Sequence, residues 1–104
     1  MTMTPDNKKR RDNEIVDGNL RPAGYEQLTS MSAATALTVP AGARMALIRA
    51  AAQDVRWRDD GTDPTAGVGM PLAADESFWY TGDLATFRVI ETTPSATLDV
   101  TYYA

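Results

Sequence analysis

Residues 54–58 read Asp-Val-Arg-Trp-Arg, and residues 59–61 read Asp-Asp-Gly. On an extended chain Val55 and Trp57 point one way, while Asp54, Arg56 and Arg58 point the other. Alternation of apolar and polar residues with period two marks a strand with one face buried. The Asp-Gly that follows turns the chain, and Asp63-Pro64 starts a second turn. This stretch therefore predicts a half-buried strand running into a surface loop.

Working outward, the same texture repeats. Towards the C-terminus, SFWYT (77–81) is dense in aromatics and is closed by Gly82-Asp83. In TFRVIE (86–91), Phe87 and Val89 share one face and Arg88 and Ile90 the other. In ATLDVTYY (96–103), Leu98, Val100 and Tyr102 face in, while Thr97, Asp99, Thr101 and Tyr103 face out. Thr92-Thr93-Pro94-Ser95 between these two runs is a connection of hairpin length. VGMPL (68–72) contains Gly69 and Pro71, which restrict it to an edge strand. Towards the N-terminus, RMALIRAA (44–51) puts Met45 and Leu47 on one face and Ala46 and Ile48 on the other. Its alanines also fit a short helix, but the Pro40-Ala41-Gly42 turn before it favours a strand. ALTVP (36–40) places Leu37 and Val39 together, after a small-residue loop, SMSAATA (30–36).

Seven short runs with no long amphipathic helix predict an all-β fold: a single antiparallel β-sandwich or small barrel over residues 29–104. The expected core is Leu37, Val39, Leu47, Val55, Trp57, Met70, Phe78, Tyr80, Phe87, Val89, Leu98 and Val100.

Residues 1–28 read instead as an extended N-terminal arm. They are polar and broken by Pro5, Gly18, Pro22 and Gly24. Ile15, Val16, Leu20, Tyr25 and Leu28 follow neither a helical nor a strand period. Such a segment buries too little to offset its own ordering entropy. Its spaced apolar residues suit anchors laid across a partner.

Composition narrows the function classes. The 104 residues include no Cys and no His. That removes disulfides, thiol nucleophiles, the commonest metal ligand and the usual general base near neutral pH. The net charge is −4, which disfavours general nucleic-acid binding. Residues 1–22 carry five basic and four acidic groups, and residues 23–104 carry five basic and ten acidic ones. No window reaches the roughly 18 apolar residues of a membrane span. The N-terminus lacks an apolar stretch after its basic run, so a soluble cytoplasmic product is expected. Asp59, Asp60 and Asp63 sit in one loop but lack the spacing of a calcium site, and a solvated turn explains them. Asp75 and Glu76 are adjacent, so on a strand they diverge and do not form a glycosidase pair. The expectation is a non-enzymatic chain with no cofactor and no bound metal.

The candidate partner-binding residues are then Lys8, Lys9, Arg10, Arg11, Ile15, Val16, Leu20, Tyr25, Arg56, Arg58, Trp79 and Tyr103. The run Lys8–Arg11 reads as a solvated tail, as a guide onto an acidic surface, or less well as a nucleic-acid contact, because Asp12 and Glu14 follow it. Arg56 and Arg58 either pair with acids across a sheet or face a partner, since Arg, Tyr and Trp are enriched at interfaces. Tyr102 and Tyr103 cannot both be buried on one face, so one ring is exposed or covered by a neighbour.

The segments TVPAG (38–42), QDVRWRDDGTDPTAGVGM (53–70), PLAADESFWYTGDL (71–84) and LDVTYYA (98–104) together resemble a family of small virion-associated, decoration-like structural proteins of tailed phages and prophages. The resemblance covers residues from about 29 to the end, and VRWRDDG is its most distinctive piece. The basic arm lies outside it. The resemblance implies a β-sandwich in a phage particle, made in the host cytoplasm. The expected function is a capsid decoration or cement protein that binds the outer surface of the head. A tail, baseplate or fibre component contacting other tail proteins or a host glycan is the alternative. The implied partners are the major capsid protein or other virion proteins. Because closed symmetric oligomers are usual and shell sites offer threefold symmetry, a homo-oligomer, a trimer by preference, is expected. No nucleic-acid or membrane partner is expected.

Overall fold

The computed structural model describes residues 20–104. Among the described residues eight strands follow one another: β1 (Pro22–Leu28), β2 (Thr35–Ala36), β3 (Met45–Ala51), β4 (Val55–Arg58), β5 (Met70–Leu72), β6 (Ser77–Tyr80), β7 (Arg88–Glu91) and β8 (Thr97–Tyr103). A 3-10 turn, Leu84–Thr86, precedes β7. The strands form two antiparallel four-stranded sheets. Sheet I has the order β1-β8-β3-β6 and sheet II the order β2-β7-β4-β5. Packed together they make an all-β sandwich, not a closed barrel.

Only the β4–β5 connection stays within a sheet; every other one crosses between sheets. The four-residue link Thr92–Ser95 is such a crossing, not a hairpin, because β7 and β8 belong to different sheets. Ala52, Asp75 and Ser95 take left-handed φ values of 69°, 70° and 75°. All three sit in crossings at one end of the sandwich, where the chain must turn sharply.

The alternations of β4, β7 and β8 orient these strands as expected. Val55, Phe87, Val89, Leu98, Val100 and Tyr102 are buried. Trp57 stacks between Phe78 and Phe87, at centroid distances of 5.3 and 5.1 Å. Tyr80 meets Trp57 edge-on at 5.9 Å and donates its hydroxyl to Asp59 Oδ2 at 2.7 Å. Burial and the neighbouring Asp59 carboxylate push the Tyr80 phenol well above its ordinary pKa.

Four expectations are corrected. The stretch 22–28, assigned to the arm, is edge strand β1, paired with β8 from Pro22↔Tyr103 to Leu28↔Leu98. Backbone bonds in both directions between Arg21 and Ala104 extend this pairing, so the sandwich begins well before residue 29. Leu47 is not core: Ala46, Ile48 and Ala50 are the fully buried face of β3. Arg49 decides this, since it shares a face with Leu47 and keeps that face in solvent. The predicted strand 36–40 shortens to Thr35–Ala36, because the Thr38 N–H is taken by Glu26 Oε2 at 2.8 Å. Met70 lies on edge strand β5 and is 56% exposed, while Met31 and Leu84 join the core from loops.

Candidate docking face

The outward residues of sheet I form rows fixed by the strand register. One row runs Tyr25, Thr101, Leu47, Trp79 across β1, β8, β3 and β6. The next runs Gln27, Asp99, Arg49, Ser77. Beyond the first row, Tyr103 stands opposite Met45. The parity of β8 already assigned Asp99, Thr101 and Tyr103 to solvent. β1 and β6 place Tyr25 and Trp79 on that same surface.

The rings of Trp79 and Tyr103 meet with centroids 5.4 Å apart and planes inclined at 51°. They close over β3, and Met45 is only 6% exposed although it faces outward. Trp79 itself is 45% exposed and Tyr25 64%. The polar row fixes the border of this aromatic surface. Asp99 Oδ1 accepts from the Tyr25 hydroxyl and from Gln27 Nε2, each at 2.9 Å. Arg49 reaches Asp99 Oδ2 at 3.7 Å and Asp75 Oδ1 at 2.8 Å. The hydrogen bond to Asp99 raises the Tyr25 pKa. The result is an exposed patch of aromatic and aliphatic carbon, oriented by a carboxylate–guanidinium row. Rings held in place in this way suit protein contact: they offer large area at low entropic cost.

Of the sequence-derived candidates, Tyr25, Trp79 and Tyr103 are thus brought together. Arg56 and Arg58 are not: they lie on the outer face of sheet II. Arg56 Nη1 donates to the Gly69 carbonyl at 2.9 Å, and its Nε is buried without a hydrogen-bond partner among the described residues. Among the described residues no acid stands across the sheet from either: Arg56 lies opposite Pro71 and Ile90. Arg58 stands directly opposite Arg88. The like charges are accommodated separately. Arg58 forms a two-point contact with Asp60, at 3.0 and 2.5 Å, while Arg88 Nη1 donates to the carbonyls of Ala85 and Phe87. The same contact holds the Asp60 carboxyl below its ordinary pKa. Leu20 is half-buried at the edge of the described chain. Lys8, Lys9, Arg10, Arg11, Ile15 and Val16 lie outside the described residues.

Sequence reasoning missed Leu47, Met45 and Gln27 as members of this face. For Leu47 and Met45 the signal was present, in the shared parity with Arg49. For Gln27 it was not, because β1 itself went unread.

The acidic loops carry no comparable arrangement. Asp59 is engaged by Tyr80 and Asp60 by Arg58, and among the described residues no three carboxylates converge on one point. Glu76 Oε1 accepts from the Ala73 N–H and so closes its own turn. No family model, curated protein or solved structure matches the chain.

Proposed function

We propose that this chain is a non-enzymatic virion structural protein, a decoration or cement protein whose aromatic face on sheet I seats against the outer surface of a tailed-phage head. One observation carries the reading: Tyr25, Trp79 and Tyr103, distant in sequence, share one solvent-facing sheet surface, with Trp79 and Tyr103 in contact beside Leu47 and Met45 and Tyr25 on the opposite edge strand. Exposed aromatic rings gathered on one face of a small domain mark a contact surface. The resemblance of residues 53–70 to virion-associated proteins supports the particle setting. The absence of His and Cys from the sequence argues for binding over catalysis. The major capsid protein is the partner of choice, and a closed trimer would present three such faces at once, multiplying modest contacts by avidity.

The test is copy number relative to the major capsid protein, by quantitative mass spectrometry of purified particles. A ratio within a few-fold of the capsid protein supports decoration. A handful of copies per particle rejects it in favour of the tail, baseplate or fibre.

A further inference from the structure

Sheets I and II leave an open side between edge strands β6 and β5. A groove of about 360 Å³ runs there, lined by Trp57, Met70, Pro71, Leu72, Glu76 and Phe78, with Ser77 at its rim. The stacked rings of Trp57 and Phe78 line it and remain partly exposed. No strand pairs with the outer edge of β6 among the described residues.

The register fixes what that edge offers. Ala50 N–H donates to the Glu76 carbonyl, so Glu76 and, by alternation, Phe78 and Tyr80 direct their backbone groups at β3. Ser77 and Trp79 therefore turn their N–H and C=O groups outward. Edges of this kind are ordinarily blunted by lysine or an inward charge. Here the described residues contain no lysine, and β6 itself is uncharged.

Arg49, opposite Ser77, is already paired with Asp75 and Asp99, so the charge left beside the edge is acidic. Glu76 lines the groove and makes no ion pair among the described residues. Asp83 follows the strand, and Asp59 is tied to its last residue through Tyr80.

We propose that the β5–β6 side binds an extended segment of a partner protein, apolar at alternate positions and flanked by Lys or Arg, as an added strand on β6. The segment bonds to Ser77 and Trp79 through its backbone. One set of its side chains enters the groove over Trp57 and Phe78. The other set lies beside Trp79, on the aromatic face. Basic flanks meet Glu76 at one end and Asp59 and Asp83 at the other. Main-chain pairing supplies affinity, and the alternate pockets supply selectivity.

The probe is the peptide Lys-Lys-Val-Thr-Val-Thr-Val-Lys-Lys, titrated into the full ¹⁵N-labelled chain. The expected result is saturable shifts, largest at the amides of residues 77–80 and at the Trp57 indole. A peptide with Glu in place of Lys should bind at least tenfold more weakly. Ser77→Pro removes an outward donor without touching the β3 ladder, and it should weaken binding at least tenfold while the fold is retained by circular dichroism. Shifts confined to β1, no saturation at millimolar peptide, or equal binding of the two peptides would overturn the proposal. Strong exchange protection of the Ser77 and Trp79 amides in the free chain would do the same, because another segment would then occupy the edge.

Discussion

Trp57 and Phe78 belong to different sheets, yet their rings stack with centroids 5.3 Å apart and planes only 15° from parallel. Phe87 stacks on Trp57 as well, at 5.1 Å. Trp57 is thus the bolt of the sandwich, joining β6 of sheet I to its own strand β4 and to the residue that leads into β7 in sheet II. Replacing it by alanine removes three aromatic contacts at once. Trp57→Ala should lower stability by about 3 kcal/mol, near the low end for large core truncations because one edge of the ring is exposed. Urea denaturation monitored by circular dichroism measures this, and a near-wild-type midpoint would contradict it.

Glu26 and Tyr102 form a second tie, between β1 and β8. The buried Tyr102 hydroxyl donates to Glu26 Oε2, which also accepts from the Thr38 N–H. Glu26→Ala leaves both donors without their acceptor, at a cost of about 1–3 kcal/mol. Tyr102→Phe removes one donor together with its need for a partner and should cost less. A double-mutant cycle should show coupling, and strictly additive effects would contradict the shared bond.

Alkaline pH offers an independent check. Burial first, and then the carboxylates of Glu26 and Asp59, raise the Tyr102 and Tyr80 phenols in the folded state. The folded pKa lies above the unfolded one. The corresponding stability is therefore fully present below about pH 10 and is lost as pH rises towards the folded values. Phenolate absorbance from these two residues should appear only together with unfolding. Complete titration of all four tyrosines with an unchanged circular dichroism spectrum would refute the assignment.

Gly69 tests the loop between β4 and β5. Its φ is 148°, and a Cβ there would meet Arg56 Cβ, Pro64 Cβ and the Trp57 carbonyl, each at 3.2 Å. Gly69→Ala should destabilise the protein by about 1–3 kcal/mol. Thermal melting decides the matter, with an unchanged midpoint as the contrary result.

How much of this was legible in the sequence depended on whether polar residues marked one face. In β4 and β8, charges or hydroxyls alternate with large apolar groups, and both strands were readable with their inner faces. In β3 both faces are apolar, and size pointed to Leu47. Only Arg49 reveals that the smaller Ala46–Ile48–Ala50 face is inward. β1 was hidden because Pro22 and Gly24 look like loop punctuation. Its inward Glu26 also looks like a solvent residue until Tyr102 and Thr38 are seen to bond it. The candidate face was legible in its residues but not in its assembly. Tyr25, Trp79 and Tyr103 were separately credible as contact residues, and only the order β1-β8-β3-β6 places them on one surface. The same order separates them from Arg56 and Arg58.

The most direct test of the central claim is hydroxyl-radical footprinting of Tyr25, Trp79 and Tyr103 in intact phage particles and in the free protein. The account predicts strong protection of all three on the particle, with Arg56 and Arg58 of sheet II little changed. Equal reactivity of the three rings in both states would contradict it.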